Sequence, residues 1–133
     1  MSAVPEAVVE EVVKATSERM SEPTYGQVAV GTFAQAHPDV GSFITAHLDD
    51  LGGGEAVIHA VFHAEVVHRC LQQHRGRHLP PVTFPMLDEA SVGDPRGRLA
   101  TAEPALAAYL EANVEGEAMR RLLALVTLAL ASA

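Results

Sequence analysis

The sequence predicts an all-α protein, a compact bundle of five to six helices in which residues 1–133 form a single domain. Apolar residues make up 48% of the chain, aromatic residues only 5%, and tryptophan is absent. Such a composition favours closely packed helices with small side chains. A sustained alternation of apolar and polar residues, which is typical of a half-buried strand, is hard to find. A chain of 133 residues buries roughly two-thirds of its unfolded surface, enough for a core without disulfides or a structural metal.

The first two helices are predicted from their polar ends and apolar stripes. Residues 5–20 place acids near the N-terminal end and valines along one face. Ser21 is a suitable N-cap for a second helix over residues 22–36. That helix contains Gly26 and Gly31, each of which weakens a helix by about 1 kcal/mol relative to alanine. We therefore expect close backbone packing at these two glycines.

Proline and glycine also delimit the next two helices. Because the residue before a proline is pushed out of the α region, the pair His37-Pro38 ends the second helix and opens a third. Three consecutive glycines at 52–54 end the third helix. No phosphate-loop pattern accompanies them, so we interpret them as a helix end. Residues 55–75 then form the fourth helix, the longest uninterrupted segment of the chain.

The second half of the chain begins with a long connection rich in proline and glycine. It covers about residues 76–100 and is interrupted by a short helical turn at 86–90. Connections of this length are unusual in compact domains and are often functional. Thr101 is a candidate N-cap for the fifth helix, and residues 117–131 form the sixth. Beyond its first turn the sixth helix is apolar on all sides, which places it either at the centre of the bundle or in a subunit interface.

Charge and cysteine content exclude several classes of function. The formal net charge is −8, which disfavours binding to nucleic acid or to anionic membranes. The single cysteine, Cys70, fits a reducing compartment. The N-terminal segment lacks the basic residues of a signal peptide, and the longest apolar run, at 122–131, is about half the ~20 residues that span a bilayer. We expect a soluble, cytoplasmic protein that binds neither nucleic acid nor membranes.

The fourth helix carries the strongest candidate for a metal site. His59 and His63 are four residues apart, so they project from one face about 6 Å apart along the helix axis. That spacing suits Zn²⁺ or another divalent metal. A third ligand would have to come from His37, His47 or Glu55. The alternative is that the histidines only pack at a seam between helices, with their polar tips satisfied there.

The patterns of known catalytic sites are incomplete in this chain. A metalloprotease needs glutamate directly after the first histidine, where this chain has Ala60. Glu65 and His68 match one Glu-x-x-His element of di-iron proteins, but those sites need two copies and two further glutamates. Glu65 and Arg69 instead form a favourable pair on what we expect to be a surface stripe. We therefore expect a protein that is not an enzyme.

A cationic patch follows the histidines at the C-terminal end of the fourth helix. Its members are His68, Arg69, His74, Arg75, Arg77 and His78. Cations are favourable at a helix C-terminus for structural reasons alone. The alternative is that Arg69, Arg75, Arg77 and His78 bind an anionic ligand or an acidic partner, with Arg96 and Arg98 from the long connection taking part.

Two functional hypotheses result. The first is a non-enzymatic protein-interaction or adaptor module that forms a homodimer through the apolar sixth helix. The second is a metal- or small-ligand-binding helical protein, possibly an enzyme, that uses His59 and His63.

Overall fold

The computed structural model describes residues 3–19 and 21–133, with Leu48 described by its main chain only. The described residues form nine helices and no strand, so the all-α prediction is confirmed. The helices are α1 (Glu6–Arg19), α2 (Tyr25–Ala36), α3 (Pro38–Ala46), α4 (Leu48–Leu51), α5 (Gly54–Arg75), α6 (Phe84–Ala90), α7 (Pro95–Ala102), α8 (Pro104–Asn113) and α9 (Glu117–Ser132). Position 20, the predicted end of the first helix, lies outside the described residues.

The predicted third helix is divided into α3 and α4 by His47. The backbone N–H of His47 donates to the carbonyl of Ile44 at 3.0 Å instead of to Phe43, as a continuing α-helix requires. Its ring nitrogen Nδ1 donates a 2.8 Å hydrogen bond to the Phe43 carbonyl. The side chain thus occupies the acceptor that the main chain would use, and the helix is interrupted at this residue.

The long connection at 76–100 contains more helix than the sequence predicts. Two short helices, α6 and α7, each have a proline within their first two positions, where a missing N–H costs nothing. Thr101 lies inside α7 and does not cap the next helix. That role belongs to Glu103, the N-cap residue of α8, whose buried carboxylate also accepts a 2.8 Å hydrogen bond from the Val4 N–H.

Helix α9 lies at the centre of the bundle. It packs against α5, α6, α7 and α8. Its buried residues are Leu122, Leu123, Ala124, Leu125, Val126, Thr127, Ala129 and Leu130. Of the two positions left open by the sequence, the structure supports the central one, because the apolar surface of α9 is covered by its own chain.

Two expectations about α2 and α5 are wrong. Glu65 does not lie on a surface stripe: only 3% of the residue is exposed, because α2 packs across this part of α5. Nor do Gly26 and Gly31 mark a close approach of backbones, since a Cβ added at either position would meet no neighbouring element within 4 Å. Among the described residues, no helix is long and apolar enough to cross a membrane.

Candidate functional site

A chain of buried hydrogen bonds joins α5, the α2–α3 junction and the segment before α6. The His68 ring lies 3.1 Å from Glu65 through Nδ1 and Oε1, and 3.1 Å from His37 through the two Nε2 atoms. His37 Nδ1 accepts a 3.0 Å hydrogen bond from the backbone N–H of Val82. All three side chains are buried, with exposed fractions of 0% for His37, 3% for Glu65 and 5% for His68.

The direction of each hydrogen bond in this chain follows from the Val82 N–H, which can only donate. His37 Nδ1 must therefore be the unprotonated nitrogen, and in a neutral imidazole the proton then sits on Nε2. That proton is donated to His68 Nε2, so His68 carries its own proton on Nδ1 and donates it to Glu65. The chain is fully satisfied with both rings neutral and Glu65 ionised.

Burial holds His37 in the neutral form. Removal from water, together with a smaller electrostatic effect of the neighbouring His68, lowers its pKa from 6.5 to about 4. Both effects penalise the imidazolium ion. A second proton on His37 Nδ1 would also break the hydrogen bond from Val82.

This arrangement is a structural network and offers no metal ligand set. In the neutral pair, His37 Nε2 carries a proton and His68 Nε2 uses its lone pair to accept that proton, so neither ring has a free lone pair for a metal ion. Within residues 3–19 and 21–133, no group of three or more His, Cys, Asp or Glu residues is arranged to hold a metal.

A cleft opens beside this network, between α1, α2 and the C-terminal half of α5. Its volume is about 670 Å³. It is lined by Val12, Ala15, Thr16, Thr32, Ala36, Glu65, His68, Arg69, Gln72, Gln73, Gly76, Arg77 and His78. The wall contributed by α1 and the end of α2 is largely apolar, whereas the wall contributed by α5 and the residues after it is polar and carries the charges.

Three groups on the cleft wall have unused hydrogen-bonding capacity. The Thr16 hydroxyl is buried, in a residue that is 5% exposed, and has no hydrogen-bond partner within residues 3–19 and 21–133. Glu65 accepts from His68 with Oε1, while the one partner of Oε2 in the described part of the chain is the Arg69 Nε at 4.0 Å. The Arg69 side chain is 34% exposed, and among the described residues its guanidinium has this ion pair and the face of the Tyr25 ring at 5.8 Å, but no hydrogen bond.

The structure brings together three of the four residues predicted to bind an anion or a partner. Arg69, Arg77 and His78 all line the cleft. Arg75 faces away from it, and its guanidinium donates to the carbonyls of Ala131 and Ala133 at the end of α9. These contacts give Arg75 a structural role at the end of α9, and its binding of an anion or a partner stays a prediction.

Arg96 and Arg98 lie outside the cleft. Arg96 forms ion pairs with Glu111 and Glu117. Arg98 donates to main-chain carbonyls that include those of Ala90 at 3.0 Å and Val92 at 2.6 Å. Both arginines therefore fasten α7 to its neighbours.

The predicted metal ligands lie on a different part of α5. His59 is exposed, and His63 Nδ1 lies 2.9 Å from the Tyr109 hydroxyl. Burial lowers the pKa of His63, and the nearby His59 lowers it further. Of the suggested third ligands, His37 belongs to the buried network and His47 to its own helix turn, while Glu55 is exposed. Metal binding by His59 and His63 stays a prediction.

Sequence patterns do not place His37 and Thr16 in one site. They indicate His37 only as the residue before Pro38 and as a possible third ligand for a metal on His59 and His63, and Thr16 lies in a helix whose pattern is simply amphipathic. The one usable signal was the Glu65-x-x-His68 spacing, which places a carboxylate beside an imidazole on one helix face.

No protein-family model, no curated protein and no solved structure matches this chain.

Proposed function

We propose that the protein binds a small organic ligand with an anionic group in the cleft between α1, α2 and α5. The observation that carries the proposal is the state of Arg69. A guanidinium has five N–H donors, and here it faces the cleft with one carboxylate 4.0 Å away and no hydrogen bond among the described residues. Arginine is suited to bidentate recognition of carboxylates and phosphates.

The surroundings of Arg69 support a site for a small ligand. Arg77 and His78 also line the cleft, and Arg77 lies 3.4 Å from the carbonyl oxygens of His78 and Ala133. Its volume of about 670 Å³ falls within the range of about 300–1,000 Å³ that is usual for small-molecule sites. A polymer such as nucleic acid is disfavoured by the net charge of −8.

We infer binding without catalysis. The ring nitrogens of His37 and His68 are engaged with protein atoms, so neither ring offers a free base to a ligand. Burial raises the pKa of the Cys70 thiol to about 12, which removes the thiolate needed for nucleophilic attack. A buried free thiol also supports the reducing, cytoplasmic location that forms part of this proposal.

The test is a binding screen of carboxylates and phosphate esters against the wild-type protein and arginine variants. We expect at least one such anion to bind with a dissociation constant in the millimolar range or below, and Arg69→Gln and Arg77→Gln to weaken that binding about tenfold or more. Arg121→Gln is the matched control, because Arg121 is exposed on α9 outside the cleft. The proposal fails if no anion binds, or if the control variant weakens binding as much as the cleft variants.

A protein-interaction module is the second candidate function, but the surface it would use is the groove at Ile58 and not α9. Helix α9 is covered by its own chain and gives a homodimer no support. Ile58 on α5 is instead 55% exposed at an apolar groove shared with α2 and α3, which is also lined by Val30, Ala34 and Val57. If this groove joins two copies, the mass in solution will be that of a dimer and Ile58→Glu will convert it to a monomer.

A further inference from the structure

We propose that the cleft ligand is a zwitterion of the amino-acid class, with its carboxylate on Arg69 and its ammonium group on Glu65 and Thr16. This inference rests on the proposed binding function and adds to it the second charged group of the ligand.

Glu65 supplies the first reason. Its carboxylate is almost fully buried and accepts one hydrogen bond from a neutral His68, while its nearest cationic atom is 4.0 Å away. An ionised carboxylate has about four acceptor sites, and a buried charge is costly unless it is paired and hydrogen-bonded. An ammonium group, with three N–H donors, would supply both the charge and the missing hydrogen bonds.

Thr16 supplies an independent reason. Buried polar groups nearly always have a hydrogen-bond partner, and a threonine within a helix commonly donates to the carbonyl one turn earlier. Among the residues that the structure describes, the Thr16 hydroxyl has no such partner; the residue is 5% exposed and lines the cleft. It is therefore an available hydrogen-bonding group on the α1 wall of the cleft, whose α5 wall carries Glu65.

Ligands with only one charged group fit this cleft less well. A simple anion on Arg69 would lie close to the Glu65 carboxylate and be repelled by it, since the two side chains are 4.0 Å apart. A simple amine would leave the donors of Arg69 unused. A molecule with an ammonium next to a carboxylate offers one group to each member of the Glu65–Arg69 pair, and the apolar wall of Val12, Ala15 and Ala36 would face its side chain.

The first experiment measures the binding of the twenty common amino acids one by one, together with carboxylic acids and amines of matched carbon skeleton. We expect at least one amino acid to bind. Its analogue without the ammonium group and its analogue without the carboxylate should each bind about tenfold or more weakly. If carboxylic acids bind as tightly as their amino-acid counterparts, the inference is overturned while the proposed function survives; if no anion of any kind binds, both fail.

The second experiment uses Thr16→Val, which keeps the shape of the side chain and removes the unpartnered hydroxyl. We expect this variant to melt about 2–6 °C higher than the wild type, yet to bind the amino acid about tenfold more weakly with unchanged binding of the carboxylic acid. A purely structural role for Thr16 would change only the melting temperature. Because Thr16→Val should fold at least as well as the wild type, a loss of binding cannot be ascribed to misfolding.

Thr45→Val is the matched control for this substitution. Thr45 is an exposed threonine on α3 whose hydroxyl donates to the carbonyl of Gly41 at 2.9 Å. We expect this variant to bind the amino acid as the wild type does. Equal binding by the wild type, Thr16→Val and Thr45→Val would overturn the inference.

Discussion

At the scale of single residues, His37 shows how a buried imidazole can join three parts of a chain. It sits where α2 gives way to α3, donates to His68 on α5, and accepts from the main chain at Val82. Each bond requires the neutral ring with its proton on Nε2. Protonation of His37 therefore lowers the unfolding free energy of the whole protein.

Acidification should destabilise the protein through His37. Because the pKa of His37 is lowered from 6.5 to about 4 in the folded protein, its contribution is fully present above pH 6.5 and is lost as the pH falls towards 4. Between pH 7.5 and 4.5, the wild type should lose about 2–3 kcal/mol more unfolding free energy than His37→Asn. Urea unfolding at both pH values measures this difference.

The matched control for that experiment is His59→Asn, because His59 is an exposed histidine on the same helix as His68. Its unfolding free energy should depend on pH nearly as that of the wild type does, because removing His59 only relieves its secondary effect on the pKa of His63. Parallel pH profiles for the wild type and His37→Asn would show that His37 is not held neutral by the fold.

Cys70 should be chemically inert in the folded protein. It is fully buried, and burial raises the pKa of its thiol to about 12, so the reactive thiolate is scarce at pH 8. We expect a disulfide reagent to label Cys70 at pH 8 at least about a hundredfold faster in denaturant than in the native protein. Rapid labelling under native conditions would contradict the burial of this residue.

At the scale of the helices, local sequence signals account for most of the boundaries. Pro38 and the glycines after Leu51 end or begin helices where the sequence predicts it. The division of the third helix at His47 was not predictable, because it depends on a side chain competing with its own main chain for the Phe43 carbonyl. The burial of Glu65 was also missed, since it depends on α2 packing over α5, a tertiary effect that helical periodicity does not contain.

Two glycine-to-alanine substitutions should have opposite effects on stability. Gly76 ends α5 with a φ of +68°, a conformation that costs a residue with a Cβ about 1 kcal/mol, so Gly76→Ala should be destabilising by about that amount. Gly26 lies inside α2 with open space around it, so Gly26→Ala should be stabilising by about 0.5–1 kcal/mol. Urea unfolding of both variants measures the two changes, and effects of the same sign would contradict the backbone assignment.

At the scale of the whole molecule, the position of α9 organises the packing. A helix that is apolar on all sides is expected to be buried, and here the helices α5 to α8 pack around α9. Leu123→Ala, at a position with 0% exposure, should therefore lower the unfolding free energy by about 2–5 kcal/mol. Leu128→Ala, at a half-buried position of the same helix, is the control and should cost less; equal losses would mean that the two faces of α9 are equally covered.

The fold class could be predicted from composition and helical periodicity, whereas the candidate site could be predicted only in part. Charge alone predicts Arg69, Arg77 and His78 as candidate binding residues. Thr16 is not predicted, because an unpartnered hydroxyl is a property of its surroundings and has no counterpart in the sequence. The same holds for His37, whose partners are 31 and 45 residues away along the chain.

The central claim is that the cleft between α1, α2 and α5 is the ligand site, and amide chemical-shift mapping tests it most directly. Titration with the tightest-binding amino acid should shift the amide signals of Thr16, Arg69 and Arg77 together, with a single dissociation constant. The amide of Ile58, on the apolar groove at the other end of α5, should stay in place. Shifts centred on Ile58, with the cleft signals unmoved, would contradict the claim.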